Sequence, residues 1–119
     1  MTLLSGTLLG ILQNAGEDIL ILTEGVDPEE FFASNITQRE VIRQLRIMTE
    51  TVGNLSDKLK QDMIEIDWGG WTVLSAQLMM SSGFDRDAVW FAIRSLVPAT
   101  LLWLRVYRQN SPKLFSIIP

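Results

Sequence analysis

Residues 68–90 read WGGWTVLSAQLMMSSGFDRDAVW, and between Asp67 and Asp85 no side chain is ionisable. A surface helix normally keeps one polar stripe. This segment instead places Trp71, Leu74 and Leu78 on one helical face and Val73, Ala76 or Gln77, and Met80 on another. Thr72, Ser75, Gln77 and Ser81 are its only polar relief. A helix that is apolar most of the way round is either central in a bundle or shared with a second subunit. The segments on either side are therefore expected to surround it.

The flanking sequence supplies those helices. Over 37–61, Val41, Leu45, Met48, Val52, Leu55 and Leu59 alternate steps of four and three, which predicts one long helix with a single seam. Asn35 with Gln38 resembles a capping box at its start. Residues 3–24 space Leu4, Leu8, Leu12, Ala15, Ile19 and Leu22 three or four apart, a helix whose glycines leave it dependent on packing. Gly25 ends it. Asp27-Pro28-Glu29-Glu30 then opens a short helix with an N-cap carboxylate, Pro at N1 and acids in the first turn, and Phe31 and Phe32 are expected to plug one end of the bundle.

Downstream, Gly69-Gly70 should turn the chain into the central segment and Gly83 should close it. Asp85 should cap a last helix over 86–108, with Phe84 stapled on Val89. Val89, Ile93, Leu96, Val97, Leu101, Leu104 and Tyr107 form its apolar side, and Pro98 predicts a kink near Arg94 and Ser95. Residues 110–119 contain two prolines and read as an irregular tail. The expectation is one all-α domain over 1–119, an antiparallel four-helix bundle with one short extra helix.

Composition narrows the function classes. The chain has no Cys, which excludes disulfides, thiolate zinc sites and a cysteine nucleophile and fits a reducing cytoplasm. It has no His, which removes the commonest general base and metal ligand. A net charge of −4 without a dense Lys/Arg cluster predicts weak or absent RNA binding. Arg39, Arg43 and Arg46 flank the seam of the long helix. They read either as a phosphate contact or, more simply, as a solvated, ion-paired edge. Asp62, Glu65 and Asp67 lie close in sequence, but their spacing around Met63, Ile64 and Ile66 suits a polar edge better than a metal site. No uninterrupted apolar run of roughly 18 residues exists, so no membrane insertion is expected, and no basic n-region marks a signal peptide.

Mean hydropathy is nevertheless positive, at +0.20, which suggests an oligomer. Trp71, Met79, Met80, Trp90 and Phe91 exceed what a four-helix monomer can hide, and they mark the expected homodimer interface on the central and last helices.

An ordered set of features adds to this reading. TEG precedes the Glu-Glu-Phe-Phe turn, a Thr37-Gln38 start leads to VIRQL, EIDW leads into the central helix, and Leu96-Val97-Pro98 breaks the last one. Together, over about residues 10–104, these features resemble the HepT-like branch of the HEPN domains. The resemblance implies a dimeric helical bundle related to ribonuclease toxins whose partner is a small nucleotidyltransferase antitoxin. Those toxins carry an Arg, four to six residues, then His-x-Tyr, on and just after the central helix. Aligned from Trp68, the Arg position falls on Ser75, the following polar residue on Ala76, the His on Met80 and the Tyr on Ser82.

Metal-independent RNA cleavage needs a proton acceptor, a proton donor and a cation for the phosphorane charge. Ser75, Met80 and Ser82 supply none of these at neutral pH. The sequence therefore reads first as a HepT-like protein that has lost its ribonuclease motif and acts as a dimeric binding or regulatory module without cofactor or metal. A ribonuclease using atypical residues and a structural subunit of a larger bundle assembly stay open as alternatives. In the family the antitoxin can adenylate the motif tyrosine. Here that place is Ser82 and the one tyrosine, Tyr107, lies far along the last helix, so a nucleotidyltransferase partner is expected to bind without modifying the chain.

Overall fold

The computed structural model describes residues 3–79 and 85–115. Among them there is no strand, and the helices form an all-α bundle. Helix α1, Leu3–Thr23, packs against α3, Asn35–Asn54, and against α7, Val97–Asn110. The central α5, Trp68–Leu78, packs on α3 and on the helix that starts with α6, Arg86–Phe91.

The seam of α1 runs through Leu9, Leu12, Ala15 and Ile19 and ends on Thr23, whose hydroxyl donates to the Ile19 carbonyl at 2.8 Å. Leu4, expected in that seam, is 64% exposed, and Leu8 and Leu22 are only half-buried. The register is set from Leu9 onward, where α3 and α7 cover the helix. Gly16 is the closest approach: a Cβ there would stand 2.9 Å from Leu101 Cδ2 and 3.2 Å from Met48 Cε. Gly25, at φ +71°, takes the left-handed conformation that ends α1.

The cap of α2, Pro28–Ala33, is as expected, with Asp27 Oδ1 accepting from the Glu30 N–H at 2.8 Å. Phe31 is fully buried, edge-on to Phe32 and 5.8 Å from the ring of Trp90. The cap of α3 is Ser34 rather than Asn35: Ser34 Oγ accepts from the Thr37 N–H. Gln38 folds back to donate to the Phe32 carbonyl at 2.9 Å.

The long helix expected over 37–61 is two helices. At Leu55 the backbone turns extended, and Ser56 caps α4, Asp57–Asp62, by accepting from the Leu59 N–H. Gly53 and Asn54 are weak helix formers just before a good N-cap, so a break is locally inexpensive. All six expected seam residues are still buried, because the turn brings Leu59 back onto the same core with Met63 and Ile66.

Gly69 and Gly70 do not form the turn. They lie in the first turn of α5, which starts at Trp68 with Asp67 Oδ1 accepting from the Gly70 N–H at 2.9 Å. A Cβ at Gly70 would sit 2.6 Å from the capping carboxylate and displace it. Trp68 Nε1 donates to the Lys60 and Met63 carbonyls, each at 3.0 Å, tying α4 to the start of α5. The expected Gly83 stop and Phe84 staple fall outside the described residues.

The last helix runs over Arg86–Asn110, and its regular hydrogen bonding is broken ahead of Pro98, around Arg94 and Ser95, the place of the expected kink. There, residues Ala92–Leu96 form a π-helical turn in which the Val97 N–H reaches back to the Ala92 carbonyl. On length and mean hydropathy, 1.4, this helix could cross a membrane, which a search for unbroken apolar runs overlooks. Of its most apolar window 44% is buried inside the chain.

The start of the tail is not irregular either. Pro112–Phe115 form a 3₁₀ turn that buries Phe115 under the Arg108 guanidinium, 4.4 Å from the ring, while Arg108 donates to Gln13 Oε1 on α1 at 2.6 Å.

Candidate functional site

Two depressions border α5, one of them at its C-terminal end. Ser75 is half-buried and opens on a depression of about 600 Å³ shared with Arg46, Thr49, Glu50, Leu78 and Met79. Arg46 crosses from α3 and donates from Nη2 to the Leu78 carbonyl at 3.2 Å, which places a cation at the negative end of the α5 dipole. Glu50, four residues on from Arg46, forms no ion pair with it among those of the described residues. The depression thus brings together one guanidinium, one carboxylate and two hydroxyls, with no imidazole or phenol. Of the other two motif positions, Met80 and Ser82 lie outside the described residues.

Beside this cleft runs an apolar surface between α5 and α6. Val73, Met79 and Phe91 are 59%, 81% and 57% exposed. Val73 and Phe91 line a depression of about 430 Å³ with Gly70, Leu74, Gln77 and Leu96, and Asp85 and Asp87 stand at it as well. The residues expected at a homodimer interface divide here. Trp71 is fully buried within the chain, with its Nε1 donating to Thr100 Oγ1 at 3.0 Å, so it has no surface left for a second copy. Trp90 is half-buried against Phe31 and Phe32, with the Arg94 guanidinium 4.6 Å above its ring. Met79 and Phe91 stay exposed, and Met80 is not described.

The arginines of α3 are individually different. Arg43 grips Glu40 with two hydrogen bonds, at 2.7 and 3.1 Å. With the help of Gln44, at 3.0 Å, it pulls the Glu40 carboxyl down to about 2. Arg39 has no hydrogen bond or ion pair among the described residues. The acidic run is dispersed: Asp62 pairs with Lys58 at 3.2 Å, Asp67 caps α5, and Glu65 is exposed. No group of three or more His, Cys, Asp or Glu side chains placed to hold a metal occurs among the described residues. Tyr107 is half-buried with its ring 6.3 Å from that of Trp103.

One important residue escapes a reading of pattern alone. Arg94, in the π-helical turn, reaches back to the Thr23 carbonyl at 3.3 Å and to the Val26 carbonyl, and so closes the C-terminal end of α1. The available signal is that Arg94 is the one ionisable residue between Asp87 and Arg105.

The chain is 29% identical over 92 residues to a protein of Methanocaldococcus jannaschii named "Putative RNase MJ0127", covering 76% of this chain and 75% of that protein. No family model matches the chain. No solved structure matches it either.

Proposed function

We propose that this chain is a HepT-like HEPN protein that has lost ribonuclease chemistry and acts as a dimeric binding or regulatory module in the cytoplasm. Its partner would be a small nucleotidyltransferase that binds it without adenylating it. The likeness to a protein named as an RNase supports the lineage. One observation carries the loss of activity: the cleft at Ser75 offers Arg46, Glu50, Thr49 and Ser75, and neither a histidine nor a tyrosine reaches it. A typical general acid-base group contributes 10²- to 10⁴-fold, and the family's pair is missing. The exposed Val73, Met79 and Phe91 support the dimer, because burying them in a second copy removes an apolar surface from water.

The test is a nuclease assay on homogeneous protein with a model RNA, together with growth after expression without a partner. Intact RNA and unimpaired growth are expected. Intact-mass spectrometry with a nucleotidyltransferase partner and ATP should show no added adenylate, and an adduct on Ser82 or Tyr107 would overturn that part.

A second reading, a ribonuclease with atypical residues, is favoured by one feature of the same cleft: Arg46 and Glu50 line it together. A guanidinium can stabilise phosphorane charge and a carboxylate can accept the 2′-hydroxyl proton. RNA cleavage abolished by Arg46→Ala and by Glu50→Gln would establish this reading in place of the first.

A further inference from the structure

A further concavity lies on α3. It is a groove of about 890 Å³ along the N-terminal half of α3, and Arg46 joins it to the Ser75 cleft. Its apolar part is Ile36 and the half-buried Leu22, over the buried Ile42. Ile36 is 84% exposed, so a large aliphatic side chain of the groove stands almost fully in water. A monomer gains nothing from that placement.

The rim is cationic. Arg39, Arg43 and Arg46 recur at steps of four and three, one stripe about 10 Å long at 1.5 Å per residue. Glu40 is the one acid lining the groove and is held by Arg43, while Asp18 of α1 lies near enough to act on the same guanidinium. Arg39 has no partner among the described residues, and Arg46 bonds only a carbonyl. In a chain of net charge −4 this stripe reverses the prevailing sign.

Three occupants can be compared on charge and shape. RNA would suit the arginines, but recognition of single strands relies on aromatic stacking, and this groove is lined by aliphatic side chains. A second copy related by a two-fold axis would bring the same arginines face to face. A helix with an apolar stripe beside a row of carboxylates meets both halves of the groove.

We infer that this groove docks an acidic amphipathic helix of a partner protein. Its aliphatic stripe lies on Ile36 and Leu22, and its carboxylates at i, i+4 and i+7 face Arg39, Arg43 and Arg46. The inference deepens the binding-module reading and rests on it for the existence of a partner.

The experiment measures fluorescence anisotropy of a labelled designed helix, about 18 residues long to be stably helical, with Glu at i, i+4 and i+7 beside a Leu/Ile stripe, titrated with the full chain. The expected result is saturable binding that weakens at least about tenfold, or 1.4 kcal/mol, with Arg39→Glu and separately with Ile36→Asp. Both side chains are exposed, and circular dichroism checks that each variant keeps its helices. A peptide with Lys in place of each Glu should not bind.

Absence of binding by the acidic peptide overturns the inference. So does equal binding by both peptides, tighter binding of a single-stranded RNA oligomer that Arg39→Glu abolishes, or self-association abolished by Ile36→Asp. None of these outcomes changes the nuclease assay, so failure here and failure of the reading it rests on are separable.

Discussion

The indole Nε1 of Trp71 donates to the Thr100 hydroxyl at 3.0 Å, joining α5 to α7 across 29 residues in a place where both side chains are buried. Thr100→Val keeps the shape and leaves the indole N–H without an acceptor. The expected cost is about 1–3 kcal/mol, the desolvation penalty of an unsatisfied buried donor. Urea unfolding measures it. In a Trp71→Phe background, which has no donor to orphan, Thr100→Val should cost markedly less, and equal costs in both backgrounds would show the bond to be immaterial.

Two glycines of α1 should respond in opposite ways. Around Gly10 nothing lies within 4 Å of an added Cβ, so Gly10→Ala should stabilise the chain by up to about 1 kcal/mol through helix propensity. At Gly16 the same methyl meets Leu101 and Met48. Gly16→Ala should yield no such gain, and Gly16→Val should lower stability by about 1–3 kcal/mol. Thermal unfolding of the three variants under one condition decides it.

The Glu40–Arg43 pair predicts a pH effect of definite sign. Hydrogen bonds from Arg43, then from Gln44, favour the carboxylate and bring its pKa from 4.5 to about 2. A depressed folded-state pKa stabilises the fold above the unfolded value and loses that contribution as pH falls from 4.5 toward 2. Carboxyl NMR titration should place the Glu40 midpoint well below those of unpaired glutamates. In Arg43→Ala it should return most of the way to 4.5, and no upward movement would exclude Arg43 as the cause.

Arg94 ties the middle of the last helix to the end of α1 and lies over Trp90. Arg94→Met keeps most of the apolar stem but removes the donors, and should cost about 1–3 kcal/mol. Hydrogen exchange should show the loss first in the last turn of α1, around Thr23. Uniform loss of protection over the whole chain would argue against a local capping role.

For the proposed dimer, Phe91→Asp and Met79→Asp change exposed residues and should leave the fold intact. Light scattering should report a dimer for the parent chain and a strong shift toward monomer for each variant. A parent dimer whose mass neither substitution changes would put the interface elsewhere.

Helix type was legible in the chain itself, because the 3.6-residue period is a local property. Val41, Leu45, Met48, Val52, Leu55 and Leu59 are buried as their spacing demanded, and the Asp27-Pro28 start of α2 needed only neighbouring atoms. The absence of histidine, which bears most on function, is likewise a matter of composition.

Tertiary structure decided what depends on distant neighbours. An apolar stripe on every face of α5 cannot reveal which face is covered; α3 and the last helix cover Trp71, Leu74 and Leu78 and leave Val73 and Met79 in water. A seam in register continued across the break at Leu55, because burial follows the direction of side chains and not the continuity of the helix that bears them. Arg46 and Arg94 reach carbonyls 32 and 71 residues away. Such partners exist only once helix ends meet in space, and no local period encodes them.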